Sequence, residues 1–320
     1  MMPSEFRKDI VSGDWVLIAG GLKKKPNFFA SRKPKASKKE CPFENLEGKK
    51  KIISSGFAEV IVNKFPILSP HKVCPKPIPE GPYHKMGGVG FQEIVVTRDH
   101  SRAFGSMRLE EISAVINAYL ARYRALEREK CIKYILVFHN HGPSAGATVA
   151  HPHSQISALP IIPPDVSRSL KGSEDYFRRH RACVHCALLK KEFRDKKRII
   201  WRNKNFVAIA PYASHVSFET RIYPVKHNSN FEEIGEKNKE SMAEMMQVVF
   251  RKIKNGMNNP DYNFFIHTAP VKDRQMRHYH WHMEILPRTN IWGGLELGSG
   301  IEVVKIPPEE SAKILRKAKI

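Results

Sequence analysis

Two sets of residues in this chain have the types and spacing of metal ligands. Cys183-Val184-His185-Cys186 is followed by His227 and His280. Cys183, Cys186, His227 and His280 together offer two thiolates and two imidazoles, a ligand set for a closed tetrahedral zinc site. One tight turn can present both sulfurs, and the distant histidines make the metal a staple between three segments. The second set is Cys41, Glu44, His100 and His151. A carboxylate stands there in place of the second thiolate. It is a harder ligand, which leaves three readings open: a weaker zinc site, an iron site, or an eroded site without metal.

The two sets repeat one order. A Cys-x-x-(Cys or Glu) pair is followed by a histidine and then by a His-x-His. His151-Pro152-His153 ends the first series and His280-Trp281-His282 the second. Internal duplication is the simplest explanation.

Between the metal-type residues lies Asn140-His141-Gly142-Pro143-Ser144-Ala145-Gly146-Ala147-Thr148-Val149-Ala150. Gly142, Ser144, Gly146 and Thr148 are small enough for the backbone to approach a ligand, and its amides could cradle phosphate oxygens. The alternation His151, His153, Gln155 places three side chains on one face of a strand. A neutral histidine attacks phosphorus without a separate base and forms a phosphoramidate that passes its group onward. Gln155 can donate an amide hydrogen to a non-bridging phosphate oxygen. It cannot protonate a leaving group, which favours leaving groups already stable as anions, such as a sugar phosphate. Glu284 follows His282 where Gln155 follows His153, and a carboxylate there repels phosphate. The second half is therefore read as structural.

Elements must bring these residues together. Ala58–Val62, Gln92–Thr97 and Tyr134–Phe138 read as strands. Leu109, Ile112, Val115, Ile116, Tyr119, Leu120 and Tyr123 recur at helical spacing. The second half repeats the order, with strands near 206–210, 220–223 and 263–266 and a helix marked by Met242, Met245, Met246, Val249, Phe250 and Ile253. A polar stretch near 163–182 separates the halves, and a last helix follows Pro307-Pro308. The expected fold is α+β: an N-terminal half over 1–165 and a C-terminal half over 183–320, each a mostly antiparallel sheet with a helix packed on one face.

The 320 residues carry 54 Lys and Arg against 32 Asp and Glu, a net charge of +22. That balance favours anionic partners such as nucleotides, sugar phosphates or nucleic acid. A basic arm from residue 23 to 51 includes Lys23, Lys24 and Lys25 and reads either as a solvated loop or as a funnel for a phosphorylated ligand. No run of eighteen apolar residues suggests a membrane span, and the first residues lack an apolar signal region. Five cysteines without an export signal point to metal or redox chemistry, with Cys74 and Cys131 read as small apolar residues of the interior.

With these residues in view, the sequence resembles the galactose-1-phosphate uridylyltransferase family, a branch of the histidine-triad superfamily, over nearly its whole length. Arg7 to Ile18, Asn63-Lys64-Phe65-Pro66, Asp99-His100-Ser101, His151-Pro152-His153-Ser154-Gln155, Phe218-Glu219-Thr220 and His280-Trp281-His282 carry the resemblance. It implies a cytoplasmic homodimeric hexose-1-phosphate nucleotidyltransferase of galactose and carbohydrate metabolism, UDP-glucose:galactose-1-phosphate uridylyltransferase first. Its substrates would be a nucleotide sugar and a sugar 1-phosphate, exchanged in two steps. His153 would be the nucleophile, Asn140 and Gln155 would hold the transferred phosphoryl group, and His151 would be a metal ligand with Cys41 and His100. Asn63 and Phe65 would meet the nucleoside, and Glu296 the hexose hydroxyls. Where the family places arginines for the sugar phosphate this chain has Lys23, Lys24 and Lys25, which lack the bidentate fork. The second Cys-x-x-Cys is similar to a branch that includes plant ADP-glucose phosphorylase, the main alternative. A zinc-stabilised nucleic-acid-binding protein is a further alternative, disfavoured because it shows no basic-aromatic stacking pattern and leaves the histidines unexplained.

Overall fold

The computed structural model describes residues 4–20, 37–46 and 50–320. Lys23, Lys24 and Lys25 lie outside the described residues. The first half contains strands β1 (Glu5–Lys8), β2 (Trp15–Ile18), β3 (Lys51–Ser54), β4 (Ala58–Val62), β5 (Ile78–Glu80), β6 (Tyr83–Lys85) and β7 (Phe91–Thr97). Helix α1 (Leu109–Leu126), β8 (Tyr134–His141) and β9 (His153–Leu159) complete it. After α2 (Pro164–His180) and α3 (Val184–Asp195), the second half runs β10 (Ile199–Arg202), β11 (Phe206–Ile209), β12 (Thr220–Pro224), α4 (Glu236–Gly256), β13 (Tyr262–His267) and β14 (His282–Pro287). The chain closes with α5 (Gly294–Ser299), β15 (Val303–Val304) and α6 (Pro308–Lys317).

The two halves form one sheet. Ten strands lie in the order β10-β11-β12-β14-β13-β8-β9-β7-β4-β3. Every neighbouring pair is antiparallel. Read outward from the β8–β13 pair, where Phe138 faces Phe265, both sides follow the same course. The duplicated order of residues is thus a duplicated order of strands.

Helices cover one face of this sheet. Ile112, Val115, Ile116, Tyr119, Leu120 and Tyr123 of α1 are buried, as are Met242, Met245, Met246, Val249, Phe250 and Ile253 of α4. The two helices pack on each other and share a core with strand residues such as Val95, Val137 and Ile156. Glu111 starts α1 by accepting the Arg108 N–H at 2.8 Å, and Glu110 adds a second acid at the positive end of the helix.

Alternation leaves the opposite face to the site. On β9, Ser154 and Ile156 turn toward α1, so His153, Gln155 and Ser157 point away from it. Cross-strand register puts Val96 beside His153, Ile94 beside Gln155 and Gln92 beside Ser157.

The polar stretch between the halves is helical. Pro164 opens α2, and Arg178, Arg179 and His180 occupy its last turn. Val166 and Ser173 are its buried residues. It packs closely where a Cβ on Gly172 would stand 1.8 Å from the Val11 carbonyl oxygen. The opening segment is a hairpin, β1 and β2, turned at Gly13 with φ +85° and extended by β15.

Cys74 and Cys131 are not separate apolar fillers of the interior. Both are half-buried, and they are joined in a disulfide. It ties the proline-rich connection before β7 to the loop after α1. Closing a loop of 57 residues is worth about 4 kcal/mol in the chain-entropy account. Cys74→Ser/Cys131→Ser is expected to lose up to that amount in urea unfolding under oxidising conditions, and to match the wild type under reducing ones.

Candidate active site

The first metal-type cluster sits at the mouth of β9. Cys41, Glu44, His100 and His151 offer ligand atoms that all lie within 4.8 Å of one another. His151 Nδ1 is 3.5 Å from Cys41 Sγ and 3.4 Å from Glu44 Oε1. His100 Nδ1 is 2.7 Å from the same carboxylate oxygen. The far nitrogen of His151, Nε2, donates to the Thr97 carbonyl at 2.6 Å. That bond fixes the tautomer and turns the Nδ1 lone pair into the cluster, as ligating imidazoles are usually held.

The second cluster repeats the device. Cys183, Cys186, His227 and His280 also converge within 4.8 Å. Cys186 Sγ is 3.4 Å from His227 Nδ1 and 3.6 Å from His280 Nδ1. Bonds of about 2.0–2.3 Å to a central zinc imply tetrahedron edges of roughly 3.3–3.8 Å, so these spacings fit one ion. His227 Nε2 donates to the Met276 carbonyl and His280 Nε2 to the Pro224 carbonyl, each at 3.0 Å. Hydrogen bonds from Cys186, His227 and His280 favour Cys183 as the thiolate, against its burial.

His153 begins β9 beside the first cluster. Its Nδ1 donates to the His151 carbonyl at 2.8 Å. The proton is therefore on Nδ1 and the lone pair on Nε2. Burial moves the ring's pKa below the usual histidine range, which keeps it neutral. Phe43 packs against it with ring centroids 5.0 Å apart. Behind the strand, Ser154 Oγ bonds His139 Nδ1 at 3.0 Å and contacts Tyr119 Oη. His139 is buried on the helix face, in a supporting position.

The predicted phosphate-holding residues gather on either side of His153 along the sheet. Gln155 shares its face two residues on. Asn140, on β8, accepts from Asn263 Nδ2 at 2.8 Å, and Asn263 also donates to the Ala145 carbonyl at 2.8 Å. A carbonyl can only accept, so Asn263 presents its NH2, Asn140 presents Oδ1 to it, and the Asn140 NH2 is left for a ligand. The small-residue segment turns at Gly142, with φ +83°, where a Cβ would collide with Asp261. Ser144 is more occupied than its sequence position suggested. Its amide and hydroxyl bond Asp261 Oδ2 at 2.9 and 2.7 Å, so both donors hold the turn. Gly146 and Thr148 remain exposed. Asn263 escaped sequence reading because its pairing with Asn140 on β8 gives it its role, and Asp261 because it meets Ser144 from just before β13.

Asn63 and Phe65 form a small turn in which Asn63 Oδ1 accepts the Phe65 N–H at 3.0 Å. Phe65 is 78% exposed, an aromatic face open to stacking. Glu296 lies on α5 and accepts the Gly293 N–H at 2.9 Å.

The equivalent place in the second half is differently wired. His282 Nδ1 meets the His280 carbonyl at 3.0 Å, but its Nε2 meets Glu284 Oε1, also at 3.0 Å. No lone pair is offered to a substrate. Burial opposes the Glu284 charge, but Arg221 and His282 hold that carboxyl well below the carboxylate range. His267, His282 and Glu284 form a third ligand-type group among the described residues. Arg221, 3.3 Å from Glu284, already neutralises the carboxylate a cation would need. His282 is thus held at both ring nitrogens, where His153 is held at one.

One buried and one half-buried neutral histidine link stability to acid. Burial lowers His139 well below its ordinary value and His267 to about 4. In the unfolded chain both titrate near 6.5. Protons then bind the unfolded state first, so this stability is complete above pH 6.5 and declines as pH falls toward 4. His267 alone accounts for at most about 3 kcal/mol. Urea midpoints at pH 7.5, 6 and 5 should fall in that order, and His267→Asn should flatten the decline.

Comparison with known proteins places this geometry. The galactose-1-phosphate uridyl transferase N-terminal domain matches residues 4–163 and the C-terminal domain residues 169–296. The chain belongs to this family. ADP-glucose phosphorylase of Arabidopsis thaliana is 31% identical over 99% of this chain and 93% of its own length. Galactose-1-phosphate uridylyltransferase of Thermotoga maritima is 27% identical over 99% of each. The crystal structure of the Arabidopsis phosphorylase with bound ADP-glucose superposes with a TM-score of 0.84 at 29% identity, covering 99% of this chain and 100% of that one. The α+β fold and the nucleotidyltransferase class read from the sequence are both borne out. Among the described residues no helix is long and apolar enough to cross a membrane.

Proposed function

We propose that this family member moves a nucleotidyl group between hexose 1-phosphates through a covalent intermediate on His153, with UDP-glucose and galactose 1-phosphate as its substrate pair. The observation that carries the reading is the His153 ring. Its Nδ1–H is committed to the His151 carbonyl and its neutral Nε2 is left as the nucleophile.

Nε2 attacks the α-phosphorus of the nucleotide sugar. The bond from that phosphorus to the bridging oxygen breaks, and hexose 1-phosphate leaves with the electron pair. It is stable as an anion, so no general acid is required. The Gln155 and Asn140 amides donate to the non-bridging oxygens as charge shifts onto them. A phosphate oxygen of the second hexose 1-phosphate then attacks, the N–P bond breaks and Nε2 recovers its lone pair. Asn63 and Phe65 receive the nucleoside, Gly142, Gly146 and Thr148 line the phosphate path, and Ser144 keeps the turn closed. Glu296 reads the hexose, and Lys25 with its neighbours attracts the acceptor phosphate.

Both cysteine–histidine clusters fit zinc by donor type. The second also fits by spacing, whereas in the first His100 and Glu44 stand at a hydrogen-bond distance of 2.7 Å, closer than a tetrahedral edge. Cys183, Cys186, His227 and His280 would hold one ion, and Cys41, Glu44, His100 and His151 a second. Bound zinc would supply a crosslink there. In the first cluster the crosslink holds His151, whose carbonyl orients His153. We further read the protein as a cytoplasmic homodimer with a catalytic half over 1–165 and a structural, sugar-contacting half over 183–320.

A second reading has its own support. The Arabidopsis ADP-glucose phosphorylase is the more similar of the two relatives, 31% against 27% identical. The same His153 chemistry would then pass adenylyl to inorganic phosphate. Purified protein should be given UDP-glucose or ADP-glucose with galactose 1-phosphate or inorganic phosphate. UDP-galactose formation supports the first reading. ADP and glucose 1-phosphate from ADP-glucose and phosphate would put the second in its place.

A further inference from the structure

Gln155 is useful to a phosphoryl group only with its NH2 toward the substrate. An amide is nearly symmetric in shape, and turned over it would aim a carbonyl oxygen at the phosphate. Something must set its direction, and the hydrogen-bond pattern shows what does.

Gln92 lies on β7, on the same face as Gln155, and is 8% exposed. Its Oε1 accepts the backbone N–H of Ile67 at 2.9 Å. A backbone N–H can only donate, so this oxygen is assigned without ambiguity. The other end of Gln92, Nε2, must then be the NH2. It lies 3.0 Å from Gln155 Oε1 and donates to it. Gln155 therefore spends its oxygen on Gln92 and has its own NH2 left over. The sense of one peptide bond is carried through two side chains to the place where the phosphate would bind.

Gln92 also holds the nucleoside turn. Its backbone carbonyl accepts the Asn63 N–H at 3.3 Å, while its side chain takes the Ile67 N–H. The turn bearing Phe65 is gripped at both ends by one residue. The same residue aims the phosphate-binding amide.

We propose that Gln92 is a positioning residue of the transfer reaction: it fixes the Gln155 amide with its NH2 toward the transferred phosphoryl group and registers that amide to the nucleoside turn. The proposal rests on the transferase reading above.

The test is a double-mutant cycle on adduct formation. Wild type, Gln92→Met, Gln155→Met and the double variant are incubated with UDP-glucose and ADP-glucose labelled at the α-phosphate. The single-turnover rate of labelling on the protein is measured, with urea unfolding in parallel. Gln155→Met should slow labelling on the order of a hundredfold, the scale of one lost donor to a developing oxyanion. Gln92→Met should slow it about tenfold, because Gln155 can still find the right orientation part of the time. With nucleotide sugar saturating, so that the Ile67 contact to the nucleoside turn no longer limits binding, the double variant should be no slower than Gln155→Met, since Gln92 acts on the transfer step through Gln155. Gln92→Glu, assayed at pH 8, should be slower than Gln92→Met, because an ionised carboxylate draws the Gln155 NH2 away from the substrate. Losses that multiply in the double variant, or a Gln92→Met rate equal to wild type, overturn the proposal and leave the transferase reading intact. Absence of any label on the wild-type protein overturns both.

Discussion

His153→Gly is expected to lose turnover by a factor on the order of 10⁴ to 10⁶, the scale seen when a covalent nucleophile is removed. No labelled adduct should form with either UDP-glucose or ADP-glucose. In the wild type that adduct should be acid-labile and base-stable, as a phosphoramidate is. The fold should survive, because the His153 side chain makes one hydrogen bond to a carbonyl and one ring contact to Phe43. A glycine at the start of β9 costs roughly 0.5–1 kcal/mol. His282→Gly is the informative companion. His282 occupies the matching place in the second half, but its Nε2 is held by Glu284. That variant should keep its adduct and lose stability, since Glu284 would lose a buried partner. Normal turnover by His153→Gly would remove the mechanism, and loss of the adduct in His282→Gly alone would move it to the other half.

Much of this arrangement was legible in the sequence. Helix α1 showed itself because Ile112, Val115, Ile116, Tyr119 and Tyr123 face one core, and α4 because its methionines do. The two clusters showed themselves because metal-type residues recur in one order. The polar stretch did not announce a helix, since α2 buries little beyond Val166 and Ser173 and so has no broad apolar stripe. Joining the halves into one sheet was not legible either. It depends on β8 meeting β13, and nothing local to Phe138 or Phe265 names its partner.

The Cys74–Cys131 disulfide was missed for a related reason. Both cysteines sit in irregular connections, where spacing says nothing about proximity. Gln92 was hidden differently. It stands near the start of β7, beside Glu93 and ahead of the β-branched run Ile94-Val95-Val96, and its meaning comes from Ile67 and Gln155, one on a loop and one on a neighbouring strand. Residues proposed to touch substrate carried a recognisable pattern of type and spacing. Residues that orient them had only neighbours.

Cys183→Ser/Cys186→Ser is expected to lose one metal ion per chain and to unfold at a markedly lower temperature. Three segments meet at this cluster. Cys183 caps the start of α3, His227 follows β12, and His280 precedes β14. A bound ion would tie them without help from the main core, because α3 packs in a smaller apolar cluster around Leu189, Val207, Ile209 and Tyr223. With serines in place, two neutral hydroxyls replace the sulfurs, and His227 and His280 still turn their Nδ1 lone pairs inward. A serine hydroxyl can donate to such a lone pair, but a hydrogen bond does not replace bonds to a central ion, so the crosslink between the three segments is lost. Structural zinc supplies folding free energy directly, on the order of 10 kcal/mol in small domains, and a domain with a large separate core should lose a fraction of that. Catalysis should suffer less than stability, because His153 hangs from the first cluster through His151. Elemental analysis, thermal unfolding and the His153 labelling rate, measured on the same preparations, separate these effects. Full metal content in the double variant would show that other residues bind the ion. A labelling rate that falls in step with metal content, at a temperature where the variant is still folded, would show that the second half reaches the reaction after all.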